Sequence, residues 1–346
     1  MLDTLKLSLT DYEIAPDADL DVQPGTFNTA TNEMRGRFPL FRRGVGFVEG
    51  SKAFHNADDF NVTVQPVNPK EPHSVGCWVQ FSAPKVATGS NYQPADLRAT
   101  KTALNTIQRE LRSIGIKTNI KTAKISRLDA CKTAKTQEPY QAYQPIFAAL
   151  QGQRMAKRDY GTTFLWHNTM QEICAYDKRE EMQRRKHSVK GVPSNCVRVE
   201  HRLLKARKVR DSLGFGDVSG LIEGFEQVER SYSDAMKKQL FSHSPAEISC
   251  LSSDGIAESL KGMRDWGKRY YVRDWLTAFA FLHLGTDKEA FLRAVESVSV
   301  NRATHSRMKK ELKAMEMNAL ALQAIAPSKR TLGELYRELE REFVAA

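Results

Sequence analysis

The sequence predicts an α+β protein, strand-rich over residues 1–211 and helical over 212–346. Apolar residues alternate with a period of two in segments before residue 211, and recur at three and four after 212. Polar stretches containing Gly, Pro and Asn separate these segments, as turns do. With 346 residues and 41% apolar content, the chain has room for about two domains with their own cores.

Leu2–Leu9 (LDTLKLSL) alternates as a strand and lacks the continuous apolar core of a signal peptide. Gly44–Val48 is a short apolar run. Phe60–Val67 alternates up to the break at Pro69–Pro72, and Val75–Ser82 is a further strand. Pro84–Pro94 reads as a loop. Asp96–Ile114 carries apolar residues at 97, 104, 107, 111 and 114, a helical stripe behind an acidic N-cap, and Gly115 ends it. Ile116–Ala130 returns to strand.

Thr133–Tyr143 has no Leu, Ile or Val and reads as turn; Gln144–Ala156 follows as a short helix. Two strands come next, Thr162–Trp166 and Ile173–Lys178, joined by a turn at His167–Thr169. Glu180–Lys190 is strongly charged. Cys196–Leu204 is a strand with Val197, Val199, His201 and Leu203 on one face and Arg198, Glu200 and Arg202 on the other. Beyond residue 212 the helical segments are Leu221–Leu240, Ile256–Trp266, Tyr271–Leu284, Lys288–Val298, Met308–Ile325 and Leu332–Phe343.

Charge narrows the partners. Lys and Arg number 52 against 41 Asp and Glu, a net +11. That excess points to a polyanion, nucleic acid first and an anionic membrane surface second. No run approaches the roughly 18 apolar residues of a membrane span. Five scattered cysteines (77, 131, 174, 196, 250) without CxxC spacing read as reduced thiols of a cytoplasmic protein, not as a disulfide framework or a zinc site.

Three elements could carry chemistry. If the strand runs through Ile173–Lys178, Tyr176 and Lys178 share a face. An ammonium beside a phenol favours the phenolate, or the charge that develops as a tyrosine attacks a phosphodiester. The same pair also fits a structural hairpin tyrosine with an exposed lysine. Asp129 closes its strand with a hard oxygen donor suited to Mg²⁺ or Mn²⁺, and fits equally well as an ordinary strand-end aspartate. Glu200 lies between two arginines, as an ion ligand or as a salt-bridge partner. Combined, these residues describe in-line attack by a tyrosine on a metal-polarised phosphate, leaving a 5′-phosphotyrosyl bond and a free 3′-hydroxyl.

Basic residues crowd Arg179–Lys190, with Arg184, Arg185 and Lys186, then Lys205–Arg210, with Lys205 and Arg207, and finally Asn301–Lys313. Each stretch would position a phosphate backbone without reading sequence, or form a solvated face. Arg127, Arg198 and Arg202 beside the acids join these candidate contacts. Trp166 could stack a base or fill a core. Lys288–Leu312 has the spacing of two helices around a turn, similar to a helix-turn-helix.

Ordered strings then match a known family. EGSKAF (Glu49–Phe54), SAPKVATGSN (Ser82–Asn91), ISRLDA (Ile125–Ala130), TTFLWHNT (Thr162–Thr169), AYDKREE (Ala175–Glu181) and VRVEHRLLK (Val197–Lys205) follow one another. With the N-terminal strand LDTLKLSL, they make residues 1–215 resemble the replication initiators of filamentous bacteriophages, the gene II product family. The resemblance implies an origin-nicking and joining endonuclease that starts rolling-circle replication. It also implies an HUH-type nuclease core, an antiparallel sheet flanked by helices, within residues 1–211, followed by an all-α domain.

In the family, the tyrosine of A-Y-x-K is the covalent nucleophile, which falls on Tyr176. Lys178 and Glu181 match its lysine and downstream glutamate, and Asp129 and Glu200 match its acidic positions. The implied partners are origin DNA, single-stranded or as a supercoiled or cruciform duplex, and a host helicase, in the cytoplasm of the bacterial host; no membrane is implied. The chain departs from HUH nucleases in having no His-hydrophobe-His triplet, which leaves Gln80, His201 or water as the third metal ligand. Two rival readings are a non-catalytic origin-binding regulator and a tyrosine recombinase using Tyr336.

Overall fold

A computed structural model of the chain describes residues 1–24, 26–28, 33–35, 38–43, 46–68, 71–150, 152–242 and 332–344. The chain forms two compact units. The first combines Met1–Thr133, His167–Ile173 and Val199–Tyr232; the second combines Ala134–Trp166, Cys174–Arg198 and the described residues from Ser233 onward. Among the described residues, no helix is long and apolar enough to cross a membrane.

The first unit is organised by strands β1 (Leu2–Leu9), β3 (Asp21–Gln23), β8 (Lys52–Asn56), β9 (Phe60–Asn68), β10 (Glu71–Ser82) and β12 (Lys124–Lys135). Three short strands, β2 (Tyr12–Ile14), β4 (Thr26–Asn28) and β5 (Glu33–Arg35), and the pair β6 (Phe38–Arg43) and β7 (Gly46–Gly50) lie outside that row. In the row, β12, β1, β10, β9, β8 and β3 run side by side, each neighbouring pair antiparallel. On the other side of β12 come the Val199–Leu203 half of β16 (Cys196–Leu203) and then the Gln171–Ile173 start of β15 (Gln171–Asp177).

Strand alternation separates the two faces. Leu5, Leu7, Val62, Val64, Val79, Ile125 and Leu128 are buried on one side. Each such aliphatic side chain contributes about 2 kcal/mol of burial. Residues of opposite parity, Lys6, Trp78, Gln80 and Arg127, are only half-buried. The buried stripe of α2 (Leu97–Ser113), made of Ala103, Leu104, Ile107 and Leu111, adds to the apolar core. Its N-cap is Asp96, whose Oδ1 accepts the Ala99 N–H at 2.7 Å. Gly115 follows at φ +87°, and a Cβ there would stand 2.8 Å from the Ala18 Cα. Glycine is required on both counts.

Several expected elements need correction. The loop expected over Pro84–Pro94 begins with a helix, α1 (Ala83–Thr88), with proline in its first turn and Gly89 at φ 76° closing it. Six residues are too few to show a helical period. Ile116–Ala130 is broken: β11 (Ile116–Thr118) and a 3₁₀ turn (Ile120–Thr122) precede β12. The turn forms because the Asn119 side chain accepts the Lys121 N–H at 3.2 Å. β12 then continues to Lys135, since small buried residues, Cys131 and Ala134, sustain a strand that large apolar residues do not mark. The single helix expected over Leu221–Leu240 is two, α6 (Val218–Glu223) and α7 (Glu226–Gln239), divided at Gly224, after α5 (Ala206–Leu213).

In the second unit, α3 (Tyr140–Ala149) starts four residues before the expected position, behind Pro139. β13 (Ala156–Asp159), β14 (Thr163–His167), the Cys174–Asp177 end of β15 and α4 (Lys178–Arg184) follow. Phe147, Phe164 and Trp166 form an aromatic cluster with centroids 5.9–6.3 Å apart. The C-terminal helix α8 (Leu332–Val344) docks on α3. Its Glu338 is buried, and it accepts the Gln137 N–H and the Tyr143 hydroxyl, both at 2.9 Å. The other C-terminal helices expected between Ile256 and Ile325, the basic stretch Asn301–Lys313 and the helix-turn-helix spacing of Lys288–Leu312 lie outside the described residues.

Candidate catalytic and nucleic-acid site

Tyr176 is the penultimate residue of β15 and is 7% exposed. The strand stops one residue earlier than its pattern suggests. Asp177 leaves the strand as an N-cap, its Oδ1 accepting the Glu180 N–H at 3.0 Å. Lys178 is therefore the first residue of α4, not a strand neighbour of Tyr176. It still reaches the tyrosine: its Nζ lies 6.0 Å from the ring centroid, within cation–π range. The lysine is 1% exposed, and Glu181 accepts from its Nζ at 2.8 Å. Glu181 in turn pairs with Arg185 at 2.6 Å. The strand below Tyr176 is pinned within the same unit, because the Tyr140 hydroxyl donates to the Ala175 carbonyl at 3.1 Å.

The first unit holds the acids. Arg127 grips both oxygens of Asp129, Nε to Oδ1 at 2.8 Å and Nη2 to Oδ2 at 2.7 Å. Such a bidentate pair is geometrically specific. Burial nonetheless raises the Asp129 pKa to about 6; Arg127 and Arg202 oppose the rise, and the charge of Glu200 adds to it. Glu200 is 4% exposed and accepts from Arg202 Nε and Nη2 at 2.9 and 2.7 Å. Arg202 also donates to Glu172 at 3.3 Å. Glu172 is a third acid that the sequence reading passed over; its position at the start of β15, two and four residues before Cys174 and Tyr176, was the available signal.

The other candidates separate. Gln80 stands opposite Lys6, which stands opposite Arg127, so these three form one row on the half-buried face. His201 is 3% exposed, and its Nε2 lies 3.1 Å from the Gln171 Oε1. By alternation it points away from the Glu200 face. Burial lowers its pKa to about 3, so it is a neutral, satisfied interior histidine. Trp166 is enclosed: it is 0% exposed, its Nε1 donates to the Leu150 carbonyl at 3.1 Å, and neither ring face is open to a base. Arg198 is also fully buried, out of reach of a phosphate backbone. Arg184, Arg185, Lys186, Lys205 and Arg207 are exposed. Tyr336 is buried in α8 with its ring 5.5 Å from Phe241, a packing position rather than that of a nucleophile.

Among the described residues, no three His, Cys, Asp or Glu side chains form a complete metal cage. Asp129 and Glu200 are neighbouring carboxylates whose mutual repulsion a cation would relieve. Mg²⁺ commonly binds through one or two carboxylates, with water and substrate phosphate completing its shell.

Residues 76–215 match a family described as the N-terminal region of the phage gene II replication-associated protein. Over this stretch the chain is similar to that family, which supports a filamentous-phage gene II replication initiator. The matched stretch contains Gln80, Asp129, Tyr176, Lys178, Glu181 and Glu200 together, so every acid and the tyrosine lie within family sequence. No curated protein matches the chain.

Proposed function

We propose that the chain is a rolling-circle replication initiator that nicks and rejoins one strand at a phage origin, with Tyr176 as its nucleophile. The observation that carries this reading is Tyr176 beside the buried cation Lys178 at the end of β15, within the family-matched stretch. The Tyr176 phenol gives up its proton as its oxygen bonds to phosphorus. The P–O3′ bond breaks, the 3′ oxygen takes a proton, and a 5′-phosphotyrosyl ester and a free 3′-hydroxyl result. Rejoining is the reverse: a 3′-hydroxyl attacks the phosphotyrosine and returns the phenol.

Lys178 stabilises the charge on the phenolic oxygen, and Glu181 holds Lys178 in place. Asp129 and Glu200 would hold Mg²⁺ or Mn²⁺, which polarises the phosphate when bound. The large antiparallel sheet of the first unit supports an HUH-like core within residues 1–211, with residues 212–346 as a separate functional part. Supercoiled or cruciform origin DNA is the substrate, a host helicase opens the duplex behind the nick, and the setting is the bacterial cytoplasm.

Supercoiled origin plasmid with Mg²⁺ should yield nicked circles carrying protein on the 5′ end. Tyr176→Phe should lower that product by about 10³-fold or more, and chelator should stop the reaction. A Tyr176→Phe protein that nicks like wild type would sink the assignment. Protein that binds origin DNA but never nicks it would favour the regulatory reading.

A further inference from the structure

The half-buried face of the first unit carries an aromatic–cationic arrangement that the nicking chemistry does not use. Trp78 lies on β10 with its ring folded back over Gly76, two residues earlier on the same face. A Cβ on Gly76 would overlap the ring. Glycine at that position is what lets the indole lie along the strand rather than stand off it.

Its cross-strand neighbours are Ser8 on β1 and Thr63 on β9, both short. The outer side of the ring is therefore not crowded by its row. Next in that row is Phe54, opposite Thr63, with Lys52 Nζ 5.6 Å from the Phe54 centroid. The adjacent row is Arg127, Lys6 and Gln80. Lys6 makes no ion pair among the described residues, and the charges that act on it from Arg127, Lys52 and Lys205 are all positive. A half-buried cation near three others, in the row next to a half-buried indole, is a poor arrangement for an isolated fold and a good one for a polyanion with flat bases.

We propose that this face of the sheet, from β1 across β10 to β8, is a single-stranded DNA track, with Trp78 stacking one base and Lys6 and Lys52 neutralising the phosphates on either side. The proposal rests on the replication reading above and names where the displaced or cleaved strand runs. Duplex bases are already stacked, so Trp78 reads only unpaired DNA.

Binding of a fluorescent single-stranded oligonucleotide, measured on full-length Tyr176→Phe protein so that no covalent product forms, tests this. Trp78→Ala should weaken binding by roughly 5- to 100-fold, the loss expected of one stacked base. Trp78→Phe should recover most of it. Lys6→Gln should reduce the slope of log affinity against log salt by about 0.7. Binding of a blunt duplex should be unchanged by Trp78→Ala. Circular dichroism establishes that each variant is folded; should Trp78→Ala not fold, Trp78→Phe against Trp78→Leu supplies the same comparison. Folded variants that bind single strands like wild type, or an equal loss on duplex, overturn the track. Because the readout is binding, a Tyr176→Phe protein that still nicks origin plasmid while the Trp78 effect persists would defeat only the Tyr176 assignment.

Discussion

Lys178 and Glu181 show how much a single buried charge decides at the site. An ammonium 1% exposed carries a desolvation cost that its carboxylate partner at 2.8 Å offsets. Glu181→Ala removes that partner and should cost roughly 3 kcal/mol of stability, whereas an exposed surface pair costs under about 1 kcal/mol. Chemical denaturation of the two proteins measures the difference. Asp129 and His201 set the pH dependence with opposite signs. The folded pKa of Asp129, about 6, lies above its unfolded value, so the native state binds the extra proton and the Asp129 contribution to stability falls as pH rises from about 4 to 6. His201 is depressed to about 3, so the unfolded state binds the extra proton below pH 6.5, and stability is lost as pH falls. The histidine interval is the wider, so of these two groups the histidine outweighs the aspartate on acidification from pH 6.5. His201→Gln should flatten that loss and Asp129→Asn should steepen it, as read from unfolding midpoints between pH 4 and 7.

At the scale of elements, legibility follows whether a segment announces itself by period. β1 has the bounds its alternation gives, and α2 lies within one residue of its cap and glycine signals, because each segment is long and its apolar residues are large. α1 and the extension of β12 were illegible: one has only six residues, and the other is carried by cysteine and alanine. The site divides in the same way. Tyr176, Lys178 and Asp129 stood out in short strings, but Lys6 came opposite Arg127, and Trp78 into the row next to Lys6, only through cross-strand register, which no local window encodes. Nor could sequence tell that Trp166 and Arg198 would be interior. The docking of α8 is likewise non-local, since Glu338 bonds residues about 200 positions away. Truncation after residue 331 removes both bonds and the apolar face of α8, and should lower the melting temperature by several degrees, as calorimetry can establish. Glu338→Gln, which keeps one acceptor, should cost less.

For the molecule as a whole, the excess of +11 has to act through residues free to exchange their present partners for phosphate. Interior cations such as Lys178 and Arg198 cannot do so. The end of α4 can: Arg184 and Arg185 have side chains 54% and 68% exposed, and their ion pairs with Glu180 and Glu181 are of the weak surface kind. Lys186 follows at positive φ, exposed. Each cation that meets a single-stranded phosphate releases a counterion and adds about 0.7 to the salt slope. Changing all three residues to Gln should thus reduce the slope by about 2 and weaken binding by a similar factor on every sequence, because such contacts position DNA without reading it. A slope unchanged by the triple variant would mean that this face is solvated and that the charge acts elsewhere. A loss confined to origin sequence would mean that these side chains read bases.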